Sequence, residues 1–259
     1  MSAPLTLEID RGLAILTFNN PSRGNALDMA MANAFAASIE QIAEDSTVRA
    51  LLITAVGKQF CVGGDVQSMA DTSRPLTDTL RALLEPVHAA MNLLSMFKFP
   101  IVCAINGAVG GGGIGLALCG DLVLAAESVK LRGGYSALGL TPDVGGSWFV
   151  TRRIGASRAM EIFLTNRPFS SHECLQLGLF DAVHPDAELA ESAKQLARKL
   201  ADGPAQAQAR IKSLISHAHH NSLGQHLAAE RDAMYASGES VDGQEGIRAF
   251  IEKRAPKFQ

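Results

Sequence analysis

Two stretches of this 259-residue chain set glycines directly after an apolar run, and what such stretches offer is backbone chemistry. Residues 101–105, Ile-Val-Cys-Ala-Ile, read as a short buried strand, and four consecutive glycines at 110–113 precede a resumed apolar helical pattern at residues 116–118. Residues 50–55 read as a second buried strand, after which comes Phe60-Cys61-Val62-Gly63-Gly64-Asp65. Amides unshielded by side chains at a helix start attract negative charge, through free N–H groups and the macrodipole. The chemistry available is binding of an anion, or stabilisation of an oxyanion that develops during a reaction. Two such transitions in one chain can supply two amides to one oxygen.

The glycine run has three other readings. Residues 101–120 have the length of a membrane span, but Asn106 interrupts them and glycine crowds their second half. Gly110, Gly112 and Gly115 match a GxGxxG dinucleotide fingerprint, yet Arg132 stands ~20 residues on, where an acid would be needed. The third reading is structural, with glycines allowing close packing of a helix on a strand.

Titratable candidates are few. Pro142-Asp143 ahead of Gly145-Gly146 is a good helix N-cap as well as a carboxylate at a turn. His88 lies between Val87 and Ala89 in a helical stretch, where an isolated histidine is ordinarily structural or solvent-facing. His217, His219 and His220 crowd one helix end, but no carboxylate or cysteine completes a ligand set, so no metal is expected.

The elements that must position these residues belong to a chain with 47% hydrophobic and 19% charged content, which describes a globular protein with ample core. A net charge of −3 and the lack of a basic cluster argue against a nucleic-acid partner. Cys61, Cys103, Cys119 and Cys174 are scattered in mostly apolar runs without CxxC spacing, and read as reduced core residues of a cytoplasmic protein. The first residues lack a basic and an apolar signal region, which argues against secretion.

In order, residues 5–8 and 14–19 flank Asp10-Arg11-Gly12 as a hairpin, and residues 19–25 are a loop punctuated by Pro21 and Gly24. Met31, Phe35, Ile39 and Ile42 recur at helical spacing. Residues 67–75 read as a mobile loop before a long helix over 76–97, kinked or restarted at Pro86. Short strands at 123–125 and 129–131 lead to a loop over 133–146. Helices are then expected at 157–164, 171–177, 187–201, 205–219, 224–235 and 243–254. No repeat is visible beyond the two glycine transitions.

Four segments in register carry a family resemblance: Phe60-Cys61-Val62-Gly63-Gly64-Asp65, Ile105-Asn106-Gly107 with its glycines, Gly139-Leu140-Thr141-Pro142-Asp143-Val144-Gly145-Gly146, and the ending Phe250-Ile251-Glu252-Lys253-Arg254-Ala255-Pro256-Lys257-Phe258. Together they resemble the crotonase (enoyl-CoA hydratase/isomerase) superfamily, most closely the phenylacetate-pathway isomerase type. The resemblance implies an α/β fold, a spiral of ββα units with a C-terminal helical trimerisation region. It divides the chain into a core over 1–200 and a helical region over 201–259. It also implies a homotrimer or hexamer, with coenzyme A present only as part of an acyl-CoA substrate and no other cofactor.

By motif position the resemblance makes the Gly64 and Gly112 amides the oxyanion donors, each worth ~3 kcal/mol to a thioester enolate. Family hydratases hold water between two glutamates, at positions occupied here by Gly115 and Tyr135, neither of which is a carboxylate. Asp143 falls where isomerase-like members carry the acid that shuttles a proton, and an apolar pocket there would raise its pKa. Enoyl-CoA isomerisation is therefore the leading expectation, ahead of a 2-enoyl-CoA hydratase and a non-catalytic coenzyme A-binding member. A 4-chlorobenzoyl-CoA dehalogenase-like enzyme is a further alternative, because His88 and Asp143 align with that branch's catalytic histidine and nucleophile. Against it, Tyr135 replaces a tryptophan there, and Gly64 and Val87 stand where it has bulky rings. Tyr135 otherwise hydrogen-bonds in the pocket or lines it, and Trp148 reads as core. For coenzyme A the resemblance points to Arg23, Ala26, Leu27, Asp65, Val66, Phe250 and Lys253, with Arg23 and Lys253 offering charge to phosphates.

Overall fold

The computed structural model describes residues 3–259. Strands β1 (Leu5–Asp10) and β2 (Leu13–Phe18) form the expected antiparallel hairpin, with Asp10 opposite Leu13. Helix α1 (Met29–Glu44) is capped by Asp28, whose carboxylate accepts from the Met31 amide. Its apolar stripe, Met31, Phe35, Ile39 and Ile42, is buried. Phe35 stacks on Phe18 with ring centroids 6.1 Å apart, and Phe60 meets Phe18 edge-on at 5.7 Å. One aromatic knot thus ties the hairpin, the helix and the first glycine turn together.

A unit then repeats three times. Strands β3 (Ala50–Ala55) and β4 (Gln59–Cys61), β5 (Ile101–Ile105) and β6 (Ala108–Gly110), and β7 (Leu122–Ala126) and β8 (Lys130–Arg132) each send one strand to a large sheet and the next to a small one. The large sheet runs β1-β2-β3-β5-β7-β10 and the small one β4-β6-β8-β9, closed by β9 (Phe169–Ser170) and β10 (Ala182–His184). Helices α2 (Val66–Met69) and α3 (Leu76–Ser95) follow the first unit, α4 (Gly113–Leu118) the second and α5 (Gly146–Thr165) the third. β3, β5 and β7 pair in parallel and are covered on both faces, so each reads as an unbroken apolar run. The two glycine transitions are the first two units of this spiral. The third is masked in the sequence because exposed Lys130 and Arg132 flank the single buried residue of β8.

Several segments differ from the sequence reading. α2 takes residues 67–69 out of the expected loop, and β6, β9 and β10 are too short for periodicity to show. α3 passes Pro86 as one helix. α5 starts at Gly146 rather than at 157, and Gly155 (φ 76, ψ 166) breaks it into two stretches whose apolar faces share no stripe. Trp148 is not core: it is 56% exposed, with the Arg152 guanidinium 4.6 Å above its ring.

Helices α6 (Ser171–Leu177) and α7 (Leu189–Ala201) complete the layer on the large sheet, where buried Ala193, Ala197 and Ala201 bring α7 close. Helices α8 (Ala205–His217), α9 (Leu223–Gly238) and α10 (Val241–Ile251) bury only Ala249. All four cysteines are buried free thiols. No helix among the described residues is long and apolar enough to cross a membrane.

The loop between β2 and α1 is held by Asn25, which is fully buried at φ 53. Its amide donates to the carbonyls of Val56 (3.1 Å) and Gln59 (2.8 Å), and its Oδ1 accepts from the Asn20 amide (2.8 Å). Asn25→Ala strands all three partners and puts alanine in a left-handed conformation, so a loss of about 2 to 4 kcal/mol in denaturant-measured stability is expected. A loss below about 1 kcal/mol would show that the loop re-satisfies itself without Asn25.

Candidate active site

A cavity of about 430 Å³ opens between α2–α3 and the ends of the small sheet. One helical stripe of α3, Leu80, Leu84 and His88 at four-residue spacing, forms a wall, with Val62, Val66, Met69, Leu138 and Leu140 completing the apolar lining. Gly64, Gly110, Gly111, Gly112, Tyr135 and Asp143 also line it, and Asp143 is the one carboxylate in the lining.

The two glycine turns meet here. Gly63 takes φ 92, and a Cβ on it would come within 3.0 Å of the Gly112 nitrogen, so the turns touch backbone to backbone. Leu27 bridges Gly64 in parallel, its amide donating to Gly63 O at 2.8 Å and its carbonyl accepting from the Asp65 amide at 3.0 Å. The amides of Gly64 and Gly112 themselves donate to no group among the described residues. Two free N–H groups on the rim of one apolar cavity are what an oxyanion would require.

Asp143 stands beside them, with Oδ1 2.9 Å from where a Gly112 Cβ would be. That oxygen accepts a short hydrogen bond from the Tyr135 hydroxyl, whose oxygen in turn accepts from the Asp143 amide at 3.2 Å. Burial raises the Asp143 pKa above the usual carboxylate value, while the Tyr135 hydrogen bond and nearby His88 oppose the rise. Tyr135 is 6% exposed, its ring set against Phe163 at 6.1 Å. Burial and the adjacent carboxylate push its phenol upward, so it remains a donor. Burial likewise lifts the Cys61 thiol beneath the turn to about 12, which removes it as a nucleophile at neutral pH.

His88 faces the cavity from α3, but its Nε2 accepts from the Val144 amide at 3.1 Å. Val144 is a buried β-branched residue at φ 51, a conformation such residues rarely take. His88 thus acts as a strut for the turn that presents Asp143. The Val144 carbonyl presses on Gly115 of α4 so closely that a Cβ there would overlap it. The space of a side chain at position 115 is filled by the backbone of the Asp143 turn.

The residues expected to contact coenzyme A separate into two groups. Ala26 and Leu27 are buried beside the Gly64 turn, Val66 is exposed on the cavity lining, and Asp65 is 7% exposed. Arg23 Nη2 donates to Asp65 Oδ2 at 2.5 Å and Nη1 lies 3.6 Å from Asp28, so its charge is already shared by two carboxylates. A second, smaller cavity adjoins Arg23, Asp65, Ser68 and Arg74. Phe250 and Lys253 reach neither cavity and stand exposed at the end of α10. The sequence reading missed Met69, Leu80, Leu84 and Arg132. The 80/84/88 spacing was the available signal for the α3 wall, whereas nothing local marks Arg132 or Met69 as cavity residues.

Residues 8–259 match the model of the enoyl-CoA hydratase/isomerase family. The chain is 37% identical to the 1,2-epoxyphenylacetyl-CoA isomerase of Escherichia coli (strain K12) over 96% of each chain. It is 28% identical to the trans-2-decenoyl-[acyl-carrier-protein] isomerase of Streptococcus mutans, over 96% of this chain and 95% of that one. The crystal structure of an enoyl-CoA hydratase from Polaromonas sp. JS666 superposes with a TM-score of 0.90 at 31% identity, over 98% and 99% of the two chains. A spiral of ββα units, two free turn amides beside a half-buried acid, and a match over nearly the whole chain place this protein in the enoyl-CoA hydratase/isomerase family.

Proposed function

We propose that the enzyme shifts a carbon–carbon double bond along the acyl chain of an acyl-CoA, with Asp143 as the single acid/base. The carrying observation is that Asp143 is the one carboxylate lining the cavity, while the Val144 carbonyl closes off position 115. A 3-enoyl thioester would lose a proton from the carbon between carbonyl and alkene to Asp143. The negative charge passes to the thioester oxygen, where the Gly64 and Gly112 amides receive it. The same proton then returns to the far end of the former alkene. Oδ1 is held by Tyr135, so Oδ2 is the oxygen free to carry it.

Hydration of a 2-enoyl-CoA is the second reading, favoured by the hydratase named among the similar structures; Asp143 would then hold the water alone. Dehalogenase-like chemistry has less support, because His88 Nε2 already accepts from the Val144 amide and is not open to a water. Coenzyme A would lie along the 23–28 loop and the Asp65 turn. Exposed Ile211, Ile215, Leu227, Met234, Ile247 and Phe250 on α8–α10 support association into a homotrimer or hexamer, which would bring Phe250 and Lys253 to a neighbouring site. A cytoplasmic enzyme fits the four free thiols.

Absorbance with purified enzyme decides among these readings. A 3-enoyl-CoA is expected to gain conjugation, and Asp143→Asn to lower that rate by about 10²- to 10⁴-fold. Loss of conjugation from a 2-enoyl-CoA alone would establish the hydratase instead, and thioester binding without turnover of either would identify a non-catalytic member. Tyr135→Phe removes a hydrogen bond that favours the ionised carboxylate, so the Asp143 pKa should rise further. The acidic limb of kcat/KM should then move to higher pH; an unmoved limb would mean that Tyr135 only packs.

A further inference from the structure

Arg132 is the one arginine in the lining of the main cavity. It ends β8, where its backbone pairs with Gly110, two residues before the Gly112 amide. Its Nε donates to the Asn166 carbonyl at 2.8 Å. Asn166 is itself fixed, 9% exposed at φ 53, with its Oδ1 accepting from the Gly134 amide at 2.7 Å. The anchor for the guanidinium is thus tied to the loop that delivers Tyr135. No carboxylate lies within ion-pair range of Arg132 among the described residues, in contrast to Arg23, Arg153, Arg167, Arg198 and Arg254, which all have acidic partners.

Fixing Nε leaves the two terminal nitrogens as an oriented, unpaired fork. Little side-chain entropy remains to be lost when such a fork takes a ligand, and its planar geometry matches a carboxylate in bidentate fashion. Much of the rest of the cavity lining is aliphatic, so a plain alkyl chain would leave the fork unanswered. Placement also matters, since a negative group near Asp143 would repel the base. Arg132 forms no ion pair with Asp143 among the described residues and is not among the charges that act on it, so the fork is not already neutralised by the base.

We propose that Arg132 is a specificity residue for acyl groups bearing a carboxylate at the end away from the thioester, that is, coenzyme A half-thioesters of dicarboxylic acids. This rests on the acyl-CoA reading above but not on isomerisation. The test therefore uses saturated, unreactive ligands: calorimetric affinities for acyl-CoA thioesters of graded length, each with and without the distal carboxylate. At low salt the wild-type enzyme should prefer the carboxylated member of at least one pair by roughly ten- to a hundredfold. That ratio should collapse towards one in Arg132→Leu and survive in part in Arg132→Lys, which keeps the charge and loses the fork. No preference at any length in the wild type would overturn the proposal. So would equal weakening of both members in Arg132→Leu, which would place Arg132 on the coenzyme portion. Failure of the double-bond assay with this preference intact would sink isomerisation and leave the Arg132 assignment standing.

Discussion

Two amides left without partners on the wall of an apolar cavity are the constraint on which this architecture turns. An unsatisfied buried N–H costs about 1 to 3 kcal/mol, and a free loop would rotate it towards the nearest carbonyl. Here each amide is held by a strand that enters the small sheet immediately before it, β4 for Gly64 and β6 for Gly112. Contact of the two turns at Gly63 and the Leu27 bridge remove the remaining freedom. The large sheet carries the stability, and the small one aims the backbone.

The Asp143 turn is a second fixed body pressed onto the first. Val144 in a left-handed conformation costs of order 1 to 3 kcal/mol, and it persists because its amide is taken by His88 and its side chain is buried. Tyr135 locks the carboxylate from the other side. Three elements far apart in sequence, α3, the loop after β8 and the start of α5, thus converge on one acid. The strain at Val144 is matched by what the turn achieves, since it brings the acid against the Gly112 turn.

Much of this was legible in the sequence, for reasons that differ by residue. Gly63-Gly64 and the run at 110–113 stood out because the strand-to-glycine transition occurs twice, which weighs against glycines that serve packing alone. Asp143 was legible only through its place in a longer motif, since Pro-Asp before Gly-Gly reads equally well as a cap. Tyr135 and His88 were legible as pocket candidates, but their pairing with this turn was not. Tyr135 and Asp143 meet across an eight-residue loop without periodicity, and a valine is the last residue type that would signal a left-handed turn. Trp148 and the start of α5 failed for a related reason: a helix broken at Gly155 shows no continuous apolar stripe, so its boundaries and its exposed face went unmarked.

The close approach of Val144 to Gly115 also links packing to reaction type. Water addition by the two-carboxylate route needs room for two acids and a water between them. Proton transfer between carbons of one chain needs a single base within reach of both and little solvent. The Asp143 turn packs on α4 with the Val144 carbonyl where a side chain at position 115 would be. The same packing sets Asp143 against the Gly112 turn, whose amide would stabilise an enolate on the proposed reading. Tyr135 sets a hydrogen-bond donor, not a negative charge, beside Asp143, and a donor there favours the ionised carboxylate. On the proposed reading, this one steric contact between a carbonyl and a glycine is what tips the site from hydration towards isomerisation.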